Sequence, residues 1–170
     1  MSAVRALTLT LVLVAAVVLQ VAVFSVLSIE GVVPNLALLV VVAAALVRGP
    51  EFAALLGFLG GLAIDLAPPN DHVAGRWALA LVVVGYLAGR VRSDARTSAL
   101  AAMVTVAACS FVGTSVFALS GMLLGDPSVP AGEALRVIPV AVLYDVLLTP
   151  FVLPLLMRLF RRLQPPRVAF

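Results

Sequence analysis

The chain has 170 residues, of which 64% are hydrophobic and 11% charged, with a mean hydropathy of +1.22. A soluble domain carries roughly 25% charged residues, so too little polar surface exists here to cover a water-facing globule, and lipid must take the apolar surplus. The net charge of +3 comes from eleven arginines against eight acids, with no lysine. The arginines sit singly or in small groups between apolar runs, a membrane-topology pattern that argues against nucleic-acid binding.

Six apolar segments follow in chain order: about Leu7–Ile29, Pro34–Val47, Phe52–Ala67, Trp77–Gly89, Ala99–Leu124 and Val137–Phe160. They are continuous apolar runs without the alternation of a barrel strand, which predicts an all-α integral membrane protein with six transmembrane helices in one polytopic domain, residues 1–170. The first segment is 23 residues long. A signal-peptide core runs roughly 7–15 residues, so this segment reads as an uncleaved span.

The second, third and fourth segments are short for a span, which needs roughly 20 residues. A hairpin that failed to cross would leave Arg48 and Glu51 at membrane depth. Each such charge costs roughly 2.5–3.5 kcal/mol on insertion scales, so six full crossings are expected.

Arginine placement sets the expected orientation. With a cytoplasmic N-terminus, Arg5, Arg48, Arg90, Arg92, Arg96, Arg158, Arg161, Arg162 and Arg167 fall inside, and only Arg76 and Arg136 outside. That nine-to-two split predicts both termini in the cytoplasm.

Catalytic signatures are absent: no HExxH, GxSxG, glycine-rich phosphate loop or CxxC occurs. His72 is alone in an outer connection and is expected to be solvated there, and Cys109 has no partner for a disulfide. No catalytic, cofactor or metal residue is expected, and the chain is expected not to be an enzyme.

Two acids interrupt the apolar runs. Asp65 lies near the outer end of the third segment and Asp145 near the middle of the sixth. Ionisable groups at such depth face protein or a water-filled cavity. Ion or proton coupling is one reading; a carboxyl that fixes helix packing is the other. The absence of lysine, arginine or histidine at matching depth favours packing. Depth counting places Ser110 and Thr114 of the fifth segment near Asp145.

Small residues form stripes at four-residue spacing: Ala53, Gly57, Gly61 and Asp65 in the third segment, Gly85 and Gly89 in the fourth. Such stripes allow close helix approach, either internally or against a partner. The sixth segment holds Tyr144, Asp145, Thr149, Pro150 and Pro154. Pro150 frees the carbonyl of Val146, so this helix is expected to bend, with the Thr149 hydroxyl bonded to the Asp145 carboxylate or to a freed carbonyl.

Taken in order, Pro34-Asn35-Leu36, Arg48-Gly49, the run Gly57 to Leu66, Val84 to Arg90 and Tyr144 to Pro150 resemble the MreD family of rod-shape-determining membrane proteins. Asn35 stands where an acid is frequent. The resemblance implies a non-catalytic membrane scaffold in bacterial cell elongation, placed in the cytoplasmic (inner) membrane and acting in lateral peptidoglycan synthesis. The partners it implies are an MreC-like bitopic protein, a RodA-type glycosyltransferase, a penicillin-binding transpeptidase and the MreB filament, with membrane lipid around the helices. It also implies a fold like the six-helix substrate-binding subunits of vitamin transporters. A small-molecule-binding subunit of such a transporter is therefore the alternative function.

Overall fold

The computed structural model describes residues 3–22, 28, 32–68, 72–95, 98–126 and 131–164. Seven helices account for most of them: α1 (Ala3–Ala22), α2 (Leu36–Arg48), α3 (Pro50–Asp65), α4 (Arg76–Arg90), the single turn α5 (Arg92–Ala95), α6 (Ala99–Leu124) and α7 (Ala131–Arg162).

Local chemistry explains most of the boundaries. Gly49, at φ +98°, alone separates α2 from α3, and Pro50 follows at the first helical position, where its missing N–H costs nothing. Ser98 caps α6 by accepting the Ala101 N–H at 3.0 Å, and Gly125, at φ +66°, ends it. The fifth apolar segment coincides with α6. The others shift: α1 starts at Ala3, α3 at Pro50 and α7 at Ala131 rather than Val137. Most of the expected end of the first segment, residues 23–29, lies outside the described residues. α5 was not expected.

α2 occupies the centre. Every residue from Leu36 to Val47 is buried, and the helix touches α1, α3, α4, α6 and α7. A helix that is apolar all round needs apolar neighbours on every side, and here other helices supply them. The surrounding helices turn large apolar side chains outward: Leu11 and Val14 on α1, Leu55 and Leu59 on α3, Leu119 and Leu123 on α6, Phe151 and Leu155 on α7. Exposed apolar surface on this scale requires lipid or a partner. Among the described residues, α6 and the stretch Ala134–Arg162 of α7 are long and apolar enough to cross a membrane.

The two ends of the bundle differ in charge. At one end lie the α2–α3 turn, α5, the start of α6 and the end of α7, tied together by Gln164 Nε2 donating to the Val47 carbonyl at 3.1 Å. This end carries Arg48, Arg90, Arg92, Arg158, Arg161 and Arg162. The opposite end holds Asp65, His72, Arg76 and Asp126.

Candidate functional site

The closest packing in the molecule lies between α3 and α4, and glycine makes it. A Cβ on Gly57 would strike the backbone of Leu81, and one on Gly61 the backbone of Trp77 and Ala78. Reciprocally, a Cβ on Gly85 would strike Ala53, and one on Gly89 would strike Pro50. The two stripes therefore face each other, and no part of them is left as an outward surface at these four positions. Gly60 instead faces Leu13 of α1.

At the end of this pair away from the Gly49 turn, Gly75 precedes α4 with no side chain to satisfy the orphan amides of the first turn. Asp65, 1% exposed, does so from the end of α3: its carboxylate accepts the N–H groups of Gly75 at 2.8 Å, Trp77 at 3.1 Å and Ala78 at 3.1 Å. A negative group at a helix N-terminus is also favoured by the helix dipole.

Two sequence expectations fail here. Asp65 does have a histidine at its depth, since His72 Nδ1 lies 3.7 Å from Asp65 Oδ1. His72 is not a freely solvated loop residue either: its side chain is 17% exposed and meets the Phe117 ring edge-on at 5.2 Å.

Beside it Arg76, 1% exposed, pairs with Asp126 at 2.6 Å. Its Nε and the second guanidinium nitrogen donate to the Phe117 carbonyl at 3.3 and 2.9 Å, and the guanidinium lies 3.9 Å from the Phe117 ring centroid. A Cβ on Gly121 would collide with this guanidinium, so that glycine makes its space. Trp77 stacks on the same ring at 4.5 Å. The sequence placed Arg76 only in an outer connection, and nothing in it marked a pairing with Asp126, 50 residues away.

The second polar cluster surrounds Asp145, also 1% exposed. α2 starts inside the bundle, level with the middle of α7, so its first amides cannot reach water. Three side chains satisfy them. Asp145 accepts the Asn35 N–H at 2.8 Å, Asn35 caps its own helix by accepting the Leu38 N–H at 2.9 Å, and Gln20 of α1 accepts the Ala37 N–H at 3.3 Å. Ser110 of α6 donates to the other Asp145 oxygen at 2.7 Å. One carboxylate thus joins α2, α6 and α7.

Thr114 does not reach Asp145; its hydroxyl donates to the Ser110 carbonyl at 2.8 Å. Thr149 likewise donates to the backbone carbonyl of Asp145 at 2.7 Å, not to the carboxylate or to the carbonyl freed by Pro150. Pro150 is exposed and Tyr144 half-buried. Gln20 was missed from the sequence; an amide within the apolar first segment was the available signal. Among the described residues Asn35 Nδ2 is the only buried side-chain nitrogen or oxygen lacking a partner, and no three His, Cys, Asp or Glu side chains gather as metal ligands.

Two grooves open on the flanks of α6. The larger, about 470 Å³, lies between α4 and α6 and is lined by Val84, Leu87, Val104, Ala108 and Cys109, with Arg90 and Asp94 at its charged end. The smaller, about 280 Å³, lies between α6 and α7 near Ser98, Arg158 and Arg161.

This is an architecture of locks between helices, with polar side chains spent on buried helix ends. Residues 2–163 match the family model for rod shape-determining protein MreD. The chain belongs to the MreD family. No curated protein and no solved structure matches it. MreD proteins are structural membrane proteins of rod-shape determination and cell elongation, and membership gives this chain that role.

Proposed function

We propose that this MreD protein is a non-catalytic scaffold of the elongation complex that crosses the cytoplasmic membrane six times with both termini inside. It holds an MreC-like partner through that partner's single transmembrane helix, and through it the RodA-type glycosyltransferase, the penicillin-binding transpeptidase and the MreB filament.

The carrying observation is the groove between α4 and α6. Its walls include the small residues Ala101, Thr105, Ala108 and Cys109, which recur along α6 at three- and four-residue spacing. A second helix can approach such a face closely, and van der Waals packing drives helix association in lipid. The α3 and α4 glycine stripes are already consumed internally, whereas this face is a small-residue surface open to a partner. The centre of the bundle is occupied by α2, which favours a scaffold over a transporter subunit with a central ligand.

The orientation rests on the arginine-rich end, since positive short loops stay cytoplasmic. Reporter fusions after Arg92 and Arg162 should read as cytoplasmic and one after Asp71 as external; an external signal at Arg92 would overturn the topology.

A photo-crosslinking residue at Val104 or Ala108 should capture the MreC-like partner in membranes, while one at Phe151 on the far flank of α7 should not. Capture from Phe151 alone would move the partner to another face and defeat the groove assignment.

A further inference from the structure

The smaller groove differs from the larger in the charge at its mouth. The larger ends in Arg90 and Asp94, one charge of each sign. The smaller ends in Arg158 and Arg161, with no acid among its lining residues. Both arginines are exposed on the last turns of α7, and among the described residues neither has an ion-pair partner. Three residues apart, they share one face of the helix and repel each other unless an anion lies between them.

The groove's opposite wall begins at Ser98, where α6 starts with no acidic residue in its first turn. The partial positive charge of that helix end adds to the same field. Beyond the mouth the walls become apolar: Ala99 and Ala102 on α6 face Leu153 and Met157 on α7. Alanines on one side and Pro150 and Pro154 on the other keep the two backbones from closing the space with side chains. The resulting cleft is cationic at the bundle end and greasy toward its middle.

We propose that this cleft binds one anionic phospholipid, its phosphate between Arg158, Arg161 and the α6 N-terminus and an acyl chain along the α6–α7 seam. Basic pockets between helices at the cytoplasmic interface take anionic headgroups in this manner. A soluble phosphate would leave the apolar walls uncovered, whereas a phospholipid meets both the cationic mouth and those walls. The site rests on the proposed orientation only for its leaflet: with Arg158 cytoplasmic, the lipid comes from the inner leaflet.

The test uses the full-length protein in phosphatidylcholine nanodiscs titrated with phosphatidylglycerol, with bound lipid read by native mass spectrometry. Two arginines should give roughly a thirtyfold preference for phosphatidylglycerol over phosphatidylcholine. The double variant Arg158→Gln/Arg161→Gln should lose most of that preference, whereas Arg90→Gln should keep it.

Ala102→Phe, which leaves both charges in place and fills the apolar wall, should also reduce retention; this variant decides the matter if the double variant fails to fold. Equal retention of the two lipids by the unaltered protein, or an unchanged preference in Ala102→Phe, would overturn the proposal. So would displacement of the lipid by millimolar inorganic phosphate, which would assign the mouth to a free anion. None of these readings depends on which side of the membrane Arg158 faces, so a failed topology and a failed lipid site are distinguishable.

Discussion

Between α3 and α4 the closest approach is backbone against backbone: four glycines, Gly57, Gly61, Gly85 and Gly89, each sit where a Cβ would overlap the partner helix. Between α6 and α7 the join is made by side chains, with Ser110 and Asp145 hydrogen-bonded at 2.7 Å and a cleft left open toward Arg158. Both pairs are antiparallel apolar helices of one bundle, yet the first is in backbone contact at four glycines and the second leaves a groove between its helices. Glycine removes the side chains that would hold helices apart, whereas alanine facing proline leaves a gap neither can fill. The tight pair is thus fitted to be a rigid frame and the loose pair to receive something from the membrane.

The comparison can be broken most forcefully at the glycines. Gly61→Leu should prevent α3 and α4 from docking, because the obstruction is backbone and cannot rotate away; overpacking costs about 1–3 kcal/mol even where side chains can yield. We expect no monodisperse protein in detergent by size-exclusion chromatography. Leucine at Ala108, exposed on α6, should leave the fold intact and reduce only capture of the partner. Normal behaviour of Gly61→Leu together with collapse of Ala108→Leu would reverse the roles given to the two pairs.

Next in size is Arg76→Ala, which takes the ion-pair partner from Asp126, leaving its carboxylate the Val73 N–H at 3.0 Å, and removes the cation over the Phe117 ring. Removing one partner of a buried pair costs about 3–5 kcal/mol, so a large drop in thermal stability should follow in micelles. Exchanging Arg76 and Asp126 together for leucines should recover much of that loss; if the single and double variants melt alike, the pair is not coupled.

At the second cluster, Asp145→Ala leaves the Asn35 N–H and the Ser110 hydroxyl without an acceptor, each worth about 1–3 kcal/mol. Asp145→Asn retains an acceptor oxygen and should cost less. A double-mutant cycle of Asp145→Ala with Ser110→Ala, each of which removes the Ser110–Asp145 hydrogen bond, measures the α6–α7 contact, and strict additivity would mean the hydrogen bond contributes nothing.

The smallest expected effect is at His72. Losing its edge-on contact with Phe117 should cost at most about 1 kcal/mol, since the ring is partly exposed and Asp65 keeps its three amide donors. A melt as damaged as that of Arg76→Ala would show that His72, not the α4 amides, holds Asp65 in place.

Much of the fold was legible in the chain because continuous apolar runs have one stable use in lipid, a helix with its backbone bonds satisfied internally. The apolar run Ala99–Leu124 coincides with helix α6 for that reason, and the small-residue stripes of α3 and α4 were visible as stripes. Which way those stripes faced was not visible, because periodicity defines a face without naming its neighbour. Asp145 showed itself as an acid in an apolar run; that it meets the start of α2 did not show, because Asn35 is 110 residues away. The same distance effect hid the pairing of Arg76 with Asp126, which lie 50 residues apart.

Composition, apolar runs and the ordered motifs determined by themselves that this is a helical membrane protein of the MreD family, since hydropathy and local pattern are properties of consecutive residues. The burial of α2 at the centre, the use of Asp65 and Asp145 as caps for helices other than their own, and the two grooves beside α6 were decided only in three dimensions. A helix end placed in an apolar interior must borrow its hydrogen-bond partners from whichever chain segment lies beside it, and no run of neighbouring residues records which segment that is.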